Sequence, residues 1–217
     1  QCLVLGPASV QELYELTVEA FDLADTYRNP VIILSDAILG QMMEPVHLSG
    51  REEKARPPKD WAVHGKGSGP RKVVKAAPHT DEELIQWNVD LGEKYARMQE
   101  QEQRYELIGA EDAELLVVSF GSSARISMDA IMQAREEGMR VGLFRPVSLW
   151  PFPEDGLRDQ INGSVRRILV IEANNGQMVH DVHKTVCGRC PVDHFGRGGG
   201  AIFKPDEIYA KIQQDWR

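Results

Sequence analysis

The sequence predicts an α/β protein in three layers, with a mostly parallel sheet covered by helices on both faces. Three observations carry this. Short β-branched runs such as VIILS (31–35), LLVVSFG (115–121) and RRILVIEA (166–173) are apolar at consecutive positions, as strands buried on both sides are. Amphipathic stretches of helical period lie between such runs, so strand and helix alternate along the chain. An apolar fraction of 42% and a charged fraction of 27% over 217 residues suit a soluble globular chain, long enough to bury a core without staples.

Residues 2–6, CLVLG, read as a strand that Gly6-Pro7 ends. Ser9 followed by Glu12 is a capping box, in which the hydroxyl takes an exposed amide and the carboxylate reaches back. The helix it starts runs through Tyr27, with Leu13, Leu16, Ala20, Phe21, Leu23 and Ala24 on one face. Asn29-Pro30 stops it, and 31–35 is the next strand. This single βαβ unit cannot stand as a domain, because one strand pair has no second layer to cover it. The chain opens on that unit with neither a Met nor a charged-then-apolar leader, so it is expected to be part of a longer protein. The partial unit should leave a sheet edge exposed.

From Glu44 to Pro78 the chain is rich in Gly, Pro and charge without periodicity, which predicts a long connection anchored by Trp61. Thr80 with Glu83 forms a second capping box, and a helix is predicted to about Leu107. Leu84, Leu91, Tyr95, Met98 and Tyr105 give it a stripe that Asn88 and Glu102 interrupt, so it reads as a surface helix rather than a coiled coil. After Gly109 the pattern becomes regular: strand 115–121, helix 126–138, strand 140–146, a short helix after the prolines of WPFPEDGLRDQI, and strand 166–173. Helix 176–186, a short strand at 192–196 and a closing helix with Pro205 in its first turn complete it. Three parts follow: a partial unit at 1–45, a linker with its surface helix at 46–108, and an α/β domain at 109–217.

A net charge of -8 argues against nucleic-acid and anionic-membrane partners, since phosphates demand clustered Lys and Arg. No apolar run approaches the roughly 20 residues that span a bilayer. Three cysteines do not describe a secreted disulfide framework, and a reducing cytoplasm is the natural compartment.

The stretch EANNGQMVHDVHKTVCGRCPVDHFGRGGG (172–200) is dense in chemistry-bearing residues. Cys187 and Cys190 lack the matched second pair of a structural zinc site, and they follow a helix rather than precede one, where the dipole would not favour a thiolate. They read as metal-free packing and turn residues. GRGGG (196–200) leads into AIF rather than directly into a helix, which favours a packed turn over a phosphate cradle. SFGSSARIS (119–127) has the better context of strand, Gly-Ser turn and helix, yet lacks the dinucleotide glycine spacing. Arg145, Glu172, Asn174 and Gln177 fall at or just after the carboxyl ends of strands, the edge where open α/β sheets meet ligands or partners. With Arg197 they are the sheet-edge or interface candidates. Glu172 and the asparagines also suit capping of the helix that follows. No residue is assigned a catalytic or metal-binding role, and no cofactor-binding residue is named.

Taken together, PASVQELYELTVEAFDLADTYRNPVIILSDAILGQMMEPV, GLFRPVSLWPFP and IEANNGQMVHDV resemble the α subunit of the 2-oxoacid:ferredoxin oxidoreductases, from end to end of the chain. Within that family the wording of 7–46 and 61–65 is most similar to the branched-chain, 2-oxoisovalerate type. The resemblance implies that 1–45 is the C-terminal remnant of a thiamine-pyrimidine-binding-type domain and that 109–217 resembles the transketolase C-terminal domain. It implies a whole enzyme that converts a 2-oxoacid to acyl-CoA and reduces ferredoxin, using thiamine diphosphate, magnesium, iron–sulfur clusters and coenzyme A. Its partners would be β, γ and ferredoxin-like δ subunits and ferredoxin, in an oligomer. The family's substrate motif and ring-activating glutamate match no position here. This chain alone is therefore expected to bind none of the cofactors, to be inactive, and to contribute architecture. The alternatives are a stand-alone ligand-binding α/β module, or the same family with 2-oxoglutarate or pyruvate as substrate.

Overall fold

A computed structural model describes residues 1–48, 58–63, 65, 69–74 and 80–216. The predicted connection over 44–78 lies in part outside the described residues. Within it, the Arg28 guanidinium sits 4.8 Å from the centre of the Trp61 ring, and Lys59 pairs with Asp25 at 2.7 Å.

The C-terminal half is the predicted three-layer sandwich. Its sheet contains β3 (Tyr105–Ile108), β4 (Leu115–Ser119), β5 (Val141–Pro146), β7 (Arg167–Glu172) and β8 (Val192–Gly196), in the order β3-β5-β4-β7-β8. All neighbours are parallel except β3, which pairs antiparallel with β5. Period-two alternation decides the layers. Leu115, Val117, Leu169 and Ile171 face α4 (Gly121–Glu136) and α7 (Pro205–Trp216), meeting Ile131, Ile208 and Ile212. Leu116, Val118, Ile168 and Val170 face α5 (Glu154–Ile161) and α6 (Met178–Val186), meeting Leu157, Val179 and Val182.

The N-terminal unit holds β1 (Leu3–Leu5), α1 (Val10–Tyr27), β2 (Val31–Ile33) and the short α2 (Ala37–Gln41). Leu3 and Leu5 are fully buried against Leu16, Leu23 and Tyr27 of α1 and against Met98 of α3 (Asp81–Gln101). The order of this smaller sheet is β2-β1-β6, where β6 is Ser148–Trp150 and runs antiparallel to β1. The C-terminal stretch thus lends a strand to the N-terminal sheet, and β2 forms an edge.

Three expectations need correction. The helix predicted to about Leu107 ends at Gln101, and residues 105–108 form a strand, with the Tyr105 ring stacked on Phe144 at 4.9 Å. Gly156 makes room for that ring: a Cβ there would lie 2.3 Å from it. The helix predicted from 126 begins five residues earlier at Gly121, because a carboxylate described below meets its first turn. Residues 148–150, with Trp150 expected to open the turn at the prolines, form β6.

Candidate functional site

The carboxyl ends of β4, β5, β7 and β8 line one rim of the larger sheet, and every predicted site residue lies along it or just beyond, Arg197 included, whose amide donates to the Glu172 carbonyl at 3.2 Å. The strand order reverses beside β4, with β5 to one side and β7 to the other, the kind of switch point where α/β sheets usually present a ligand crevice.

At the end of β4 the chain turns through Phe120 and Gly121, whose φ of 62° lies in the left-handed region that glycine adopts without strain. Phe120 supplies no side-chain cap. The carboxylate of Asp36, from the N-terminal unit, does so instead: its Oδ2 accepts the Ser122 amide at 3.0 Å, while Oδ1 accepts that of Leu39 at 3.0 Å at the start of α2. The Gly-Ser turn that most resembled a phosphate loop is therefore filled by the chain's own carboxylate. A Cβ on Gly121 would sit 3.4 Å from that Asp36 oxygen.

At the end of β7 Glu172 is fully buried. Its Oε2 accepts the amides of Gln177 and Met178 at 3.2 and 2.8 Å, and its Oε1 accepts that of Val179 at 3.1 Å. This is the helix-capping role expected of it, satisfying orphan donors at the positive end of α6. Asn174 closes the loop by accepting the Gly176 amide at 2.8 Å, and Gln177 is exposed, with no capping bond from its side chain. His194 on β8, which sequence reasoning did not single out for this place, brings Nε2 to 3.2 Å from Glu172 Oε1.

Of the glycines at 196–200, Gly196 and Gly198 serve packing, whereas Gly199 and Gly200 turn the chain at φ of 79° and 78°. A Cβ on Gly196 would lie 2.6 Å from the Asn174 carbonyl oxygen, and one on Gly198 would lie 2.6 Å from Asn175 Oδ1. The loops after β7 and β8 thus close on each other. Arg197 is committed locally: it donates to the Ile202 carbonyl and to Glu207, both at 3.0 Å, and lies 4.9 Å from the Phe203 ring centre. Glu207 also accepts the Lys204 amide at 3.0 Å at the start of α7. Cys187 is an exposed C-cap of α6 in the left-handed conformation. Cys190 packs against the core, and burial pushes its thiol up, away from the thiolate that a metal or redox role requires.

Arg145, at the end of β5, is 3% exposed and joins the two halves of the chain. Its terminal nitrogens meet both oxygens of Glu12 at 3.1 and 2.6 Å, and its Nε donates to Glu106 at 2.9 Å. Glu12 also reaches back to the Ala8 amide at 2.7 Å, one residue beyond the reciprocal bond of the capping-box pattern. Alongside, Glu44 accepts the Val10 amide at 3.1 Å and pairs with Arg125 of α4. These side chains border an open cavity of about 360 Å³ that Met128 also lines. Asp36, Glu44, Glu106 and Arg125 carried no signal in the sequence, whereas Glu12 did, as a cap.

Two family models cover almost all of this framework. The description of one, pyruvate flavodoxin/ferredoxin oxidoreductase, thiamine-diphosphate-binding, matches residues 1–109, and that of pyruvate:ferredoxin oxidoreductase core domain II matches 113–208. The chain belongs to the pyruvate flavodoxin/ferredoxin oxidoreductase family. Among curated relatives it is 42% identical over 212 residues to ketoisovalerate oxidoreductase subunit VorB of Methanothermobacter thermautotrophicus, covering 98% of this chain and 60% of that one. It is 32% identical over 241 residues to 2-oxoglutarate synthase subunit KorA of Methanothermobacter marburgensis, covering 98% of this chain and 63% of that one. The chain thus spans about 60% of the length of the curated relatives it matches. The solved 2-oxoglutarate:ferredoxin oxidoreductase from Magnetococcus marinus, with 2-oxoglutarate, coenzyme A and succinyl-CoA bound, shares the fold with a TM-score of 0.72 at 19% identity, over 99% of this chain and 42% of that one.

A diphosphate held through a divalent cation needs clustered donors and open helix-end amides. Among the described residues no group of three or more His, Cys, Asp or Glu side chains could hold a metal ion, and Asp36 and Glu172 fill the two helix ends at the switch point. The described residues do not fit that cradle. No helix among the described residues is long and apolar enough to cross a membrane.

Proposed function

We propose that this chain is part of the α-type subunit of a 2-oxoacid:ferredoxin oxidoreductase, of the 2-oxoisovalerate type, and that it supplies architecture rather than reacting groups. The whole enzyme would decarboxylate its 2-oxoacid oxidatively, transfer the acyl group to coenzyme A and pass electrons to ferredoxin through iron–sulfur clusters. Thiamine diphosphate and magnesium would be held with other parts of the assembly, in the cytoplasm, alongside β, γ and ferredoxin-like δ subunits. The choice of 2-oxoacid rests on the 42% identity to the ketoisovalerate subunit against 32% to the 2-oxoglutarate subunit.

One observation carries the architectural role. Where a sheet of this topology would receive a ligand, the helix ends at β4 and β7 are taken from within, by Asp36 and Glu172. What remains exposed at the rim, including Asn175 and Gln177 with the loop at 196–200, is a ridge in which Gly196 and Gly198 pack against Asn174 and Asn175 and Arg197 is tied to Glu207. We assign that ridge, with Arg145, Glu172 and Asn174 beneath it, to contacts between subunits. The division into a remnant at 1–45, a linker and helix at 46–108 and a domain at 109–217 follows the same reading. Fixing subunits about a shared cofactor aids catalysis by orientation alone.

The experiment is a titration and a reconstitution. Calorimetry with thiamine diphosphate and magnesium should detect no binding to this chain, and micromolar binding would sink the architectural reading. Reconstitution with the rest of the α subunit and the partner subunits should give dye-reducing turnover, fastest with 2-oxoisovalerate. Faster turnover with 2-oxoglutarate or pyruvate would overturn the substrate choice.

A further inference from the structure

Helix α3 carries two apolar stripes, and the body of the protein uses one. Tyr95 and Met98 turn inward, Met98 fully buried and Tyr95 edge-on to Trp150 at 6.1 Å. About a third of a turn around the helix, Ile85, Val89, Gly92 and Ala96 recur at 4-3-4 spacing, the seam period of a coiled coil. That second stripe is bare: Ile85 is 65% and Val89 48% exposed, Ala96 is exposed, and a Cβ on Gly92 would meet nothing within 4 Å. From Asp81 to Asp90 every residue is exposed except the half-buried Trp87, so this half of the helix has little packing of its own. Helices owe most of their stability to a packed face, which leaves this one incomplete without a cover.

The charges beside the stripe say what the cover is. Glu93 and Glu100 run down one flank, Glu82 stands one heptad ahead of Val89, Asp81 begins the other flank, and among the described residues of α3 neither Lys nor Arg borders the seam. An antiparallel second copy would set these glutamates against one another, and in either orientation both chains carry a net charge of -8. We propose that this face of α3 is a docking site for a helix of a different chain, one with a bulky apolar ridge flanked by Lys or Arg. The ridge inserts at Gly92 and Ala96, where the small side chains permit close approach, and the basic flanks meet the glutamates. The proposal deepens the subunit reading above by giving the chemistry of one partner surface.

The test uses fluorescently labelled helical peptides of about three heptads with an Ile/Leu seam, one with Lys flanks and one with Glu flanks, titrated against the 217-residue chain. The Lys-flanked peptide should bind at least about ten-fold more tightly than the Glu-flanked one, and lose several-fold in affinity between about 50 and 300 mM salt. Val89→Glu, or independently Ile85→Glu, should weaken it at least about ten-fold while leaving circular dichroism and melting unchanged, since both side chains are solvated. Equal binding of both peptides, no binding of the Lys-flanked one, or indifference to both substitutions would overturn the proposal. So would a concentration-dependent doubling in mass of the chain that Val89→Glu abolishes, which would make the partner a second copy. Failed turnover in the reconstitution would count against the enzyme assignment and leave this titration untouched.

Discussion

The helices that follow β4 and β7 begin side by side on one sheet rim, and both are capped by carboxylates, yet the carboxylates come from different places. Glu172 belongs to the strand that leads into its own helix, is fully buried, and accepts three amides of α6. Asp36 comes from 86 residues away, gives α4 one bond, and spends its other oxygen on α2. The first cap is made within the larger sheet and its own helix. The second exists only when the N-terminal unit docks, so it marks a joint, reinforced by Arg145 with Glu12 and by Arg125 with Glu44. A cap made within one unit should govern global stability, and a joint should govern relative placement.

Glu172→Ala is the most severe way to press the difference. It strands two buried amides, a partly buried one and the His194 contact, and should cost about 4 kcal/mol in urea unfolding of the chain. Glu172→Gln keeps one oxygen acceptor and should recover roughly half of that. A loss below about 1 kcal/mol for the alanine variant would mean that α6 is not held by its cap. Arg145→Ala comes next, at about 2 kcal/mol, because Glu12 and Glu106 are left facing each other without the cation but remain partly solvated. Its signature differs in kind. Amide exchange should quicken in α1 and β3 while β4 and β7 keep their protection; a uniform loss across both sheets would erase the distinction between cap and joint.

Much of this was legible from sequence because it is local. The Ser9 and Thr80 caps take the Glu12 and Glu83 amides at 3.1 and 3.2 Å, and the apolar runs at 115–119 and 167–172 are the central strands. Strand β3 was missed because Tyr105 continues the spacing of Leu91, Tyr95 and Met98, so four residues of strand look like another helical turn. Three-residue β6 was lost beside the prolines. At the site, the place of Arg145 and Glu172 at strand ends could be read, and so could the capping by Glu172. The joint could not: Arg145 and Glu12 lie 133 residues apart, and only tertiary structure brings them together.

Asp36→Ala probes the joint at its thinnest point and should cost about 1 kcal/mol, the usual worth of a lost cap, read as a shifted urea midpoint with faster exchange at Ser122 and Leu39. A loss as large as that of Glu172→Ala would make Asp36 part of the core framework instead.

The smallest effect comes from acid, and its sign follows from Glu44. The hydrogen bond from Arg125, followed by that from the Val10 amide, holds this carboxyl below the usual carboxylate range. Between its ordinary value and that lower one the unfolded chain binds the proton and the folded chain does not, so stability falls with falling pH. The contribution is present above about pH 4.5 and disappears as pH drops through the folded value. Tyr27 works in the other direction at the far end of α1. Burial, then its bond to Glu102, pushes its hydroxyl up to about 12, so its share is present below pH 10 and is lost as pH rises toward 12. Global unfolding sums over many such groups, and Asp181, raised by burial, opposes Glu44 in the acid range. The clean readout is therefore local. In acid titrations followed by NMR, the Val10 amide should move only below pH 4.5, and Glu44→Gln should abolish that movement while the β4 and β7 amides stay protected. A Val10 amide that does not respond, or that moves only when the sheet amides lose protection, would place the acid-sensitive element in the sheet and not in the joint.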